Sequence, residues 1–435
     1  MSNRRIPIDV FTKRQQTLIA ESLREVSRAL SFSDAVRNYI ERVMGRRELG
    51  DLLGEVCIVA GDESIPRRRH DLVTTRGTTH VYFNVHIRGV VSCRYSMDGG
   101  LTNVGFRVEP PDEDDYFVLG ARVLSSSAID LGNNAVARRA RRVERALKDQ
   151  WGVAKQLELL RLIVDESRRS AGCGLVIAVM DGSIIPWELN MDVVPGSKFF
   201  SGLPDDLRDK MLDTEEKLFQ GFHELYNGVH NSGSIVLVGA VKRSKDWTLQ
   251  AMANVVPSSE YPDQVRLAEV MGEGTVLRSP IVHYRFRDFT EKLGVFGIDH
   301  VDYVVNTYYV RRDLATYPLK LEVLYPKALP EGVREAIPHL LAYLTVASDK
   351  HTYIAAKAGG DTLSIPTLKP IFVIDKEVSE RGAAESARAA YELDKYWERI
   401  KDELVECAYS SREGECVRSR RDVRKLMGGG HGQGR

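Results

Sequence analysis

The chain contains 435 residues, of which 61 are Lys or Arg and 61 are Asp or Glu, so its formal net charge is zero. This balance excludes a strongly cationic protein that coats nucleic acid by charge alone. A chain of this length buries about three quarters of its unfolded surface, so it needs neither disulfides nor a structural metal to hold a core. The length is that of two or three domains, or of one large domain with insertions.

Hydropathy and the N-terminal residues bear on where the protein works. No apolar run approaches the roughly 18 residues that span a bilayer, and the longest runs, residues 175–180 and Ile235–Val241, have the length of buried strands. Residues 1–16 include basic side chains but no apolar core and no small-residue cleavage site behind them. We therefore expect a soluble, cytoplasmic protein.

The cysteines do not predict a metal site or a disulfide framework. Cys57, Cys93, Cys173, Cys407 and Cys416 contain no CxxC pair, and their number is odd. We interpret them as small buried residues or exposed thiols. Oxidative pairing of the last two is open, but no feature of the sequence requires it.

The first third of the chain combines a helical segment with strands. Apolar residues at three- and four-residue steps predict an amphipathic helix over residues 12–47. Residues 55–64 and 79–96 are rich in apolar, β-branched and aromatic side chains, which predicts strands of one sheet. Residues 109–117 contain two prolines and several acids, which is typical of an exposed loop.

The middle of the chain predicts a strand, helix and strand pattern. Residues 134–169 are rich in helix-forming side chains, which predicts one long helix or two consecutive helices. A continuous apolar run follows and ends at Asp181, as a buried strand would. Residues 234–244 predict another buried strand, which ends in the cations Lys242 and Arg243.

The C-terminal part continues this mixture. Residues 306–326 predict two strands joined by a turn, and residues 333–351 predict a helix. Residues 367–377 are interpreted as a late strand, and residues 383–409 as a final helix. The tail, residues 418–435, is basic and rich in glycine, which is typical of a disordered segment.

Strands and helices that are mixed throughout the chain predict an α/β fold with a mixed central sheet flanked by helices. We predict an N-terminal helical segment at residues 1–50 and a main α/β domain at residues 51–380. A C-terminal helix at residues 381–412 and a disordered basic tail at residues 413–435 complete the predicted organisation.

The familiar motifs of several enzyme classes are missing from the sequence. It contains no GxxxxGK[ST], no GxGxxG after a strand, no HExxH and no GxSxG. Nucleotide hydrolysis at a P-loop, dinucleotide redox chemistry and serine hydrolysis are therefore disfavoured.

Two acidic residues stand at the ends of predicted buried strands. Asp62 follows VCIVAG and Asp181 follows VIAVM. Carboxylates delivered by neighbouring strand ends can share a divalent ion, and one of them is protonated if no cation lies between them. An oxygen-only ligand set favours Mg²⁺ or Mn²⁺, and a pair of such ions supports phosphodiester hydrolysis. Taken singly, each acid could equally cap the following turn.

The order of the motifs extends this reading. GDES, a helix carrying Glu, VIAVMDGSIIP, IVLVGAVKRS and YYVRRDLATYPLKLEV follow one another between residues 56 and 366. In this order they resemble the NurA nucleases of archaeal DNA-end processing, which have an RNase H-like core. The resemblance implies an RNase H-like mixed central sheet with flanking helices for this chain.

The resemblance also implies roles for individual residues. It implies catalytic roles for Asp62, Glu158, Asp181 and Tyr353, with Asp62, Glu158 and Asp181 as metal ligands; Glu166 is the alternative to Glu158. A late His of the family pattern is replaced by Asp361, which we take as a further metal ligand.

The cations of the later strands are implied to bind DNA. Lys242 and Arg243 match a basic pair of the family, and Lys320 stands where Arg is usual. The first acidic site also departs from the family, because Glu63 replaces the usual Gly.

The resemblance implies a Mn²⁺- or Mg²⁺-dependent deoxyribonuclease, a 5′–3′ exonuclease and single-strand endonuclease of DNA end resection and double-strand break repair. It further implies a homodimer that works with HerA, a hexameric DNA-translocating ATPase. The departures from the family pattern leave an alternative open, a non-catalytic NurA-like subunit that binds DNA or serves as a scaffold. A third reading, an enzyme that acts on RNA, has no sequence feature in its favour.

Overall fold

The structure is a computed structural model, and it describes residues 24, 27–28, 30–65, 67–74, 77–96, 98–112, 115–122, 135–170, 172–186, 193–201, 203, 205–255, 262–298, 300–348 and 363–409. Its contacts divide the chain into two compact units. Unit 1 contains residues 1–63, 88–110 and 143–378, and unit 2 contains residues 64–87, 111–142 and 379–435.

Fourteen strands are present in the described residues. They are β1 (Ile40–Arg42), β2 (Val56–Ser64), β3 (Arg67–Thr74), β4 (Gly77–Val85), β5 (Ile87–Ser96), β6 (Gly100–Val108), β7 (Tyr116–Arg122), β8 (Val176–Asp181), β9 (Ile235–Val241), β10 (Thr275–Arg278), β11 (Val305–Arg311), β12 (Leu319–Leu324), β13 (Thr345–Ala347) and β14 (Pro366–Leu368).

The α-helices of the same residues follow in chain order. They are α1 (Arg46–Leu53), α2 (Ala135–Arg169), α3 (Asp205–His230), α4 (Thr248–Met252), α5 (Asp263–Val270), α6 (Tyr284–Val295), α7 (Glu331–Leu344) and α8 (Lys369–Tyr409). Residues 30–36 are also helical and continue into a 3₁₀ turn at Arg37–Tyr39.

A nine-stranded mixed sheet forms the centre of unit 1. Its strand order is β1-β10-β11-β12-β9-β8-β2-β5-β6. The three strands at its middle, β2, β8 and β9, are parallel, whereas β1, β10, β11 and β12 join by antiparallel pairing. Parallel strands that are covered on both faces carry continuous apolar runs, and every residue of β9 is buried.

Helices α2, α3 and α6 contribute side chains to the core cluster that contains residues of β2, β8 and β9. Leu159 and Ile163 of α2 pack so closely on Gly61 that a Cβ atom there would lie 2.5 Å from the nearest atom of Ile163. Helix α2 therefore packs tightly on β2 at Gly61, the residue that precedes Asp62. A second cluster joins Phe32 and Val36 to side chains of α4, α5, β10 and β11.

Unit 2 contains a separate three-stranded antiparallel sheet with the order β3-β4-β7. In the same unit His86 and Asp115 are buried, and Nδ1 of His86 lies 3.2 Å from a carboxylate oxygen of Asp115. Asp115 belongs to the acidic segment that we expected to be exposed, so for this residue the expectation is wrong.

The predicted α/β fold with a mixed central sheet flanked by helices is confirmed. The predicted strands at residues 55–64, 234–244 and 306–326 and the helix at residues 134–169 are present with small changes of bounds. None of the helices in the described part of the chain is long and apolar enough to cross a lipid bilayer. The disordered tail that we predicted lies outside the described residues, and the predicted domain boundaries stay predictions.

The late strand predicted at residues 367–377 is wrong, because α8 begins at Lys369 and the strand β14 is limited to Pro366–Leu368. Ile371, Ile374 and Val378 are buried at helical spacing, whereas Phe372, within the same apolar run, is 40% exposed. Four successive apolar residues suggested a strand, but only two of them face the core. The helix therefore starts earlier than the predicted residue 383.

The N-terminal amphipathic helix also ends earlier than predicted. Ile40–Arg42 form an edge strand that pairs antiparallel with β10. The unpaired backbone groups of β10 supply hydrogen bonds that a longer helix could not use.

The interpretation of the cysteines needs one correction. Cys57 in β2 and Cys173, which follows α2, form a disulfide with their Cα atoms 5.7 Å apart. These residues are 116 positions apart in sequence, and the pairing of β2 with β8, in which Cys57 lies opposite Val176, brings them within bonding reach. Cys93 is a buried free thiol.

Candidate active site

Asp62 and Asp181 lie side by side at the carboxyl ends of two adjacent parallel strands. The register pairs Cys57 with Val176 and continues to Gly61 and Met180, so the next residues of the two strands are the two acids. Their carboxyl groups are close enough for each to affect the pKa of the other. Neighbouring parallel strands end at the same edge of a sheet, which is why residues far apart in sequence meet here.

Burial raises the pKa of Asp62 well above its ordinary value, and the nearby carboxylate of Asp181 raises it further. Burial also raises the pKa of Asp181, against the opposing effect of Lys242. Burial and the neighbouring charge therefore disfavour ionisation of both carboxyls, and a bound cation would favour it. The backbone N–H of Glu63 donates to Oδ1 of Asp62 over 2.8 Å and so orients that carboxyl group.

Lys242 contributes a cation to the same place. It directly follows β9, and its Nζ donates to Oδ2 of Asp181 over 2.6 Å. Burial lowers the pKa of Lys242, but Asp181 and then Asp62 outweigh this effect and leave the pKa raised. Lys242 is therefore firmly protonated, and its side chain is 19% exposed, within reach of solvent.

A third carboxylate, Asp375 of α8, acts on this group. Its charge raises the pKa of Asp62, Asp181 and Lys242. The sequence reasoning missed Asp375 because it interpreted the surrounding residues as a strand. Helical spacing of the buried residues Ile371, Ile374 and Val378 was the signal that could have found it.

The turn after Asp181 is held by buried partners. The backbone N–H of Gly182 donates to the carbonyl of Ala240 over 3.0 Å, and Gly182 has φ +111°, which favours glycine. A Cβ atom at Gly239 would lie 2.7 Å from the backbone nitrogen of Ile184, so only glycine lets the turn cross β9 this closely.

Glu322 fixes the same turn from the next strand, β12. Its Oε2 accepts from the hydroxyl of Ser183 over 2.5 Å and from the N–H of Ile184 over 3.1 Å. The hydroxyl of Tyr226 donates to the carbonyl of Ile184. Gln156 of α2 donates from Nε2 to the carbonyl of Ser183 over 2.7 Å. The direction of Asp181 is therefore set by a fully buried set of hydrogen bonds.

Lys320 is placed differently from its predicted role. It is 2% exposed, and its Nζ lies 2.5 Å from a carboxylate oxygen of Asp246 and 2.6 Å from one of Glu322. Burial lowers the pKa of Lys320, but the two carboxylates raise it above its ordinary value. In this structure both carboxylates hold the buried ammonium of Lys320, and its predicted contact with DNA stays a prediction.

Asp246 continues this buried network. Burial raises its pKa, but Lys320 and His283 lower it more, so the net shift is downward. Nε2 of His283 lies 2.8 Å from Oδ2 of Asp246, while Nδ1 of His283 accepts from the backbone N–H of Arg285. With Nδ1 as an acceptor, the proton of a neutral His283 lies on Nε2 and faces the carboxylate.

The two helical glutamates that we predicted as alternative metal ligands form ion pairs with basic side chains. Oε2 of Glu158 lies 2.7 Å from Nη1 of Arg88, and its Oε1 lies 3.0 Å from Nζ of Lys155. Glu166 pairs with Arg169 over 3.2 Å and with Arg107 over 4.0 Å.

The remaining predicted residues divide into two groups. Arg243 is exposed and stands next to Lys242 at the end of β9. Tyr353 and Asp361 lie outside the described residues, so their predicted roles stay predictions.

The donor set at the strand ends fits a hard divalent cation. Asp62 and Asp181 present adjacent carboxyl groups, and the charge of Asp375 acts on both. Burial is the first cause of their raised pKa values, and a cation bound between them would favour their charged forms. Oxygen ligands of this kind suit Mg²⁺ or Mn²⁺.

Comparisons with known proteins give matches to solved structures. No protein-family model and no curated protein matches the chain. The structure resembles the NurA nuclease from Sulfolobus solfataricus, with a TM-score of 0.38 and 11% identity over 88% of this chain and 98% of that one. A structure of NurA with manganese aligns with a TM-score of 0.35 and 13% identity over 87% and 98%.

A structure of NurA bound to dAMP and manganese aligns with a TM-score of 0.39 and 11% identity over 84% of this chain and 92% of that one. These solved structures are of NurA, the family that the sequence resembles.

Proposed function

We propose that the protein is a divalent-metal-dependent deoxyribonuclease whose centre is the carboxyl pair of Asp62 and Asp181. The observation that carries the proposal is the pair itself: two carboxyls placed side by side by the register of β2 and β8, with raised pKa values and a lysine in contact with one of them. Such a group is costly to keep charged without a cation and is suited to bind one.

Asp62 and Asp181 would hold the metal, Mn²⁺ or Mg²⁺. When bound, such an ion supplies Lewis-acid chemistry, because it activates water and offsets charge on a phosphodiester. We assign the third carboxylate to Asp375 instead of the predicted Glu158. Asp375 acts electrostatically on both members of the pair, whereas Glu158 is already neutralised by two cations.

The protein's own cations then act on the substrate. Lys242, which stands beside Asp181, would donate to a phosphate oxygen, and the exposed Arg243 next to it would hold the next phosphate. Contacts of this kind are independent of base sequence, as an enzyme that degrades DNA ends requires.

The proposal is tested by digestion of 5′-labelled single-stranded DNA in the presence of Mn²⁺. We expect cleavage by the wild-type protein, and a loss of about 100-fold or more in Asp181→Asn. Asp165→Asn is the matched control, because the side chain of Asp165 is 55% exposed on α2. Activity that survives in Asp181→Asn contradicts the proposal.

The choice of the third ligand has its own test. Calorimetric titration with Mn²⁺ compares Asp375→Asn with Glu158→Gln. We expect Asp375→Asn to weaken Mn²⁺ binding by about tenfold or more, and Glu158→Gln to weaken it less. If Glu158→Gln weakens Mn²⁺ binding more than Asp375→Asn does, Glu158 is the third ligand instead of Asp375.

A second candidate function, a non-catalytic DNA-binding or scaffold subunit, is favoured by one observation. The ammonium of Lys242 already contacts Asp181, so a cation of the protein's own stands beside the carboxyl pair. Wild-type protein that binds DNA but neither binds Mn²⁺ nor cleaves would support this alternative.

We further propose that the substrates are single-stranded DNA and DNA ends, processed as in end resection and double-strand break repair. The protein would act as a homodimer in the cytoplasm, with a HerA-type hexameric ATPase as its partner. The order of the sequence motifs supports this part. Sedimentation of the protein alone and with such an ATPase tests it: a monomer that does not associate with the ATPase contradicts both points.

A further inference from the structure

The segment that follows β9 alternates between exposed and buried side chains. Arg243, Lys245 and Trp247 are exposed, whereas Ser244 and Asp246 between them are buried. The exposed side chains of this segment are therefore two cations and a tryptophan.

Trp247 is stacked on a second aromatic ring instead of being buried. It is 41% exposed, and its ring lies 5.3 Å from that of Tyr284 with an interplanar angle of 15°. The guanidinium of Arg285 lies 5.3 Å from the centre of the Tyr284 ring, and its Nε donates to the Tyr284 hydroxyl over 3.1 Å. A tryptophan normally buries most of its large apolar surface, so one left this exposed points to a ligand.

The stacked pair is attached to the buried network of Asp246, His283 and Lys320. Asp246 precedes Trp247 and His283 precedes Tyr284, and the carboxylate and the imidazole lie 2.8 Å apart. Lys320 holds the same carboxylate from β12. The backbone N–H of Ser244 donates to Oε1 of Gln264 over 3.0 Å. Both aromatic residues are therefore attached to rigid backbone positions.

The aromatic pair belongs to the same edge of the sheet as the carboxyl pair. Trp247 is five residues beyond Lys242, which contacts Asp181. Five residues of fully extended chain span at most about 18 Å. Trp247 therefore lies within about 18 Å of the lysine that contacts Asp181.

We propose that Trp247 and Tyr284 form a stacking platform for an unpaired base of single-stranded DNA, with Arg243, Lys245 and Arg285 on the phosphates. The substrate class rests on the proposed function. Stacking on an aromatic face tolerates every base, because each base has a π-face, and a cationic groove tracks the backbone. The platform selects unpaired DNA, since a base inside a duplex has no free face to offer.

The test measures binding without cleavage. A fluorescent oligo(dT) of roughly 20 nucleotides is titrated with protein in EDTA and followed by anisotropy, beside an abasic deoxyribose-phosphate strand of the same length. We expect Trp247→Ala to weaken oligo(dT) binding by about tenfold and to leave abasic-strand binding unchanged. Phe106→Ala is the control, because Phe106 is an exposed aromatic on β6, 49% accessible, and this variant should bind both strands like the wild type.

A second measurement uses the conservative variant Trp247→Phe, which keeps an aromatic ring at this position. Oligo(dT) should quench the tryptophan fluorescence of the wild-type protein, whereas the quenching should be lost in Trp247→Phe while affinity is largely retained. Equal losses for both strands in Trp247→Ala, or unchanged quenching in Trp247→Phe, would overturn the platform.

The two proposals fail in different ways. If the protein does not cleave DNA, oligo(dT) binding in EDTA still depends on Trp247, and the platform stands alone. If Trp247→Ala binds oligo(dT) like the wild type while Asp181→Asn abolishes cleavage, the nuclease proposal stands and the platform is rejected.

Discussion

Asp62 and Asp181 are next to each other in the register of two adjacent parallel strands, and each carboxyl affects the pKa of the other. The relationship arises from the register of the two strands. Because Cys57 pairs with Val176, 119 positions later, Asp62 lies beside Asp181, which is also 119 positions later. Because both carboxyls are buried, the pair resists full ionisation. Several measurable consequences follow from this and from the neighbouring buried charges.

Asp62→Asn should stabilise the metal-free protein at neutral pH. The folded pKa of Asp62 is raised well above 3.8, so its contribution to stability is complete below about pH 4 and is lost as the pH rises through the folded pKa. An amide keeps a hydrogen-bonding partner for Asp181 without titrating. We expect a gain on the order of 1–2 kcal/mol in the free energy of unfolding near neutral pH.

Urea unfolding in EDTA at about pH 4.5 and 7.5 measures this gain, which should be absent at the lower pH. Asp165→Asn, at an exposed acid, should show no such pH dependence. Destabilisation by Asp62→Asn at both pH values would contradict the prediction. In the presence of Mn²⁺ the same variant should lose DNA cleavage.

Ser183→Ala should lower the rate of cleavage more than the affinity for DNA. The Ser183 hydroxyl bonds to Glu322 and helps to set the direction of the turn after Asp181. We expect kcat to fall by about tenfold with little change in KM, and the free energy of unfolding to fall by about 1–3 kcal/mol.

The matched control is Ser232→Ala, whose hydroxyl accepts from the N–H of Ile235 at the opposite end of β9. This variant should keep wild-type kcat. A Ser183→Ala variant with unchanged kcat would show that the turn does not depend on Glu322.

Lys320→Met should destabilise the protein instead of weakening DNA binding directly. Loss of the ammonium leaves the buried carboxylates of Asp246 and Glu322 without their shared cation. We expect a cost of about 3–5 kcal/mol in the free energy of unfolding. Thermal and urea unfolding check this value.

The salt dependence of DNA binding separates Lys320 from a true phosphate contact. Arg243→Ala should reduce the slope of log K against log salt by about one, whereas Lys320→Met in its folded form should leave the slope unchanged. A reduced slope in Lys320→Met would restore its predicted role in DNA binding.

Asp263 should make the stability depend on pH in the acid range. It is fully buried, and burial raises its pKa to about 7, although it accepts from the backbone N–H groups of Leu249 and Gln250. A raised folded pKa means that its contribution is complete below about pH 4 and is lost as the pH rises to about 7.

As the pH rises through this window, the free energy of unfolding of the wild type should therefore fall relative to that of Asp263→Asn. Urea unfolding at several pH values measures the shift. Asp213→Asn, at a side chain that is 60% exposed, is the control and should give curves parallel to wild type. Parallel curves for Asp263→Asn would contradict the prediction.

Much of the central sheet could be predicted from the sequence. The strands that end at Asp62 and Asp181 and the strand before Lys242 are continuous apolar runs bounded by polar turns. Such runs can be recognised in the sequence because they depend on the local order of residues. The long helix α2 was predicted for the same reason.

Other parts of the site could not be predicted in this way. Asp375 belongs to a helix whose start resembles a strand, and the helical assignment follows from which apolar residues face the core. The burial of Lys320 depends on Asp246 and Glu322, which reach it from a loop and from its own strand. The stacking of Trp247 on Tyr284 joins two segments that are distant in sequence.

By itself the sequence determined the strands, their order along the chain and the acids at their ends, because these follow from interactions among near neighbours. Only the tertiary structure decided which charges are buried, which are paired and which aromatic side chains remain exposed. Those outcomes depend on contacts between residues far apart in the chain, and a buried charge or an exposed ring has no local pattern that reveals it.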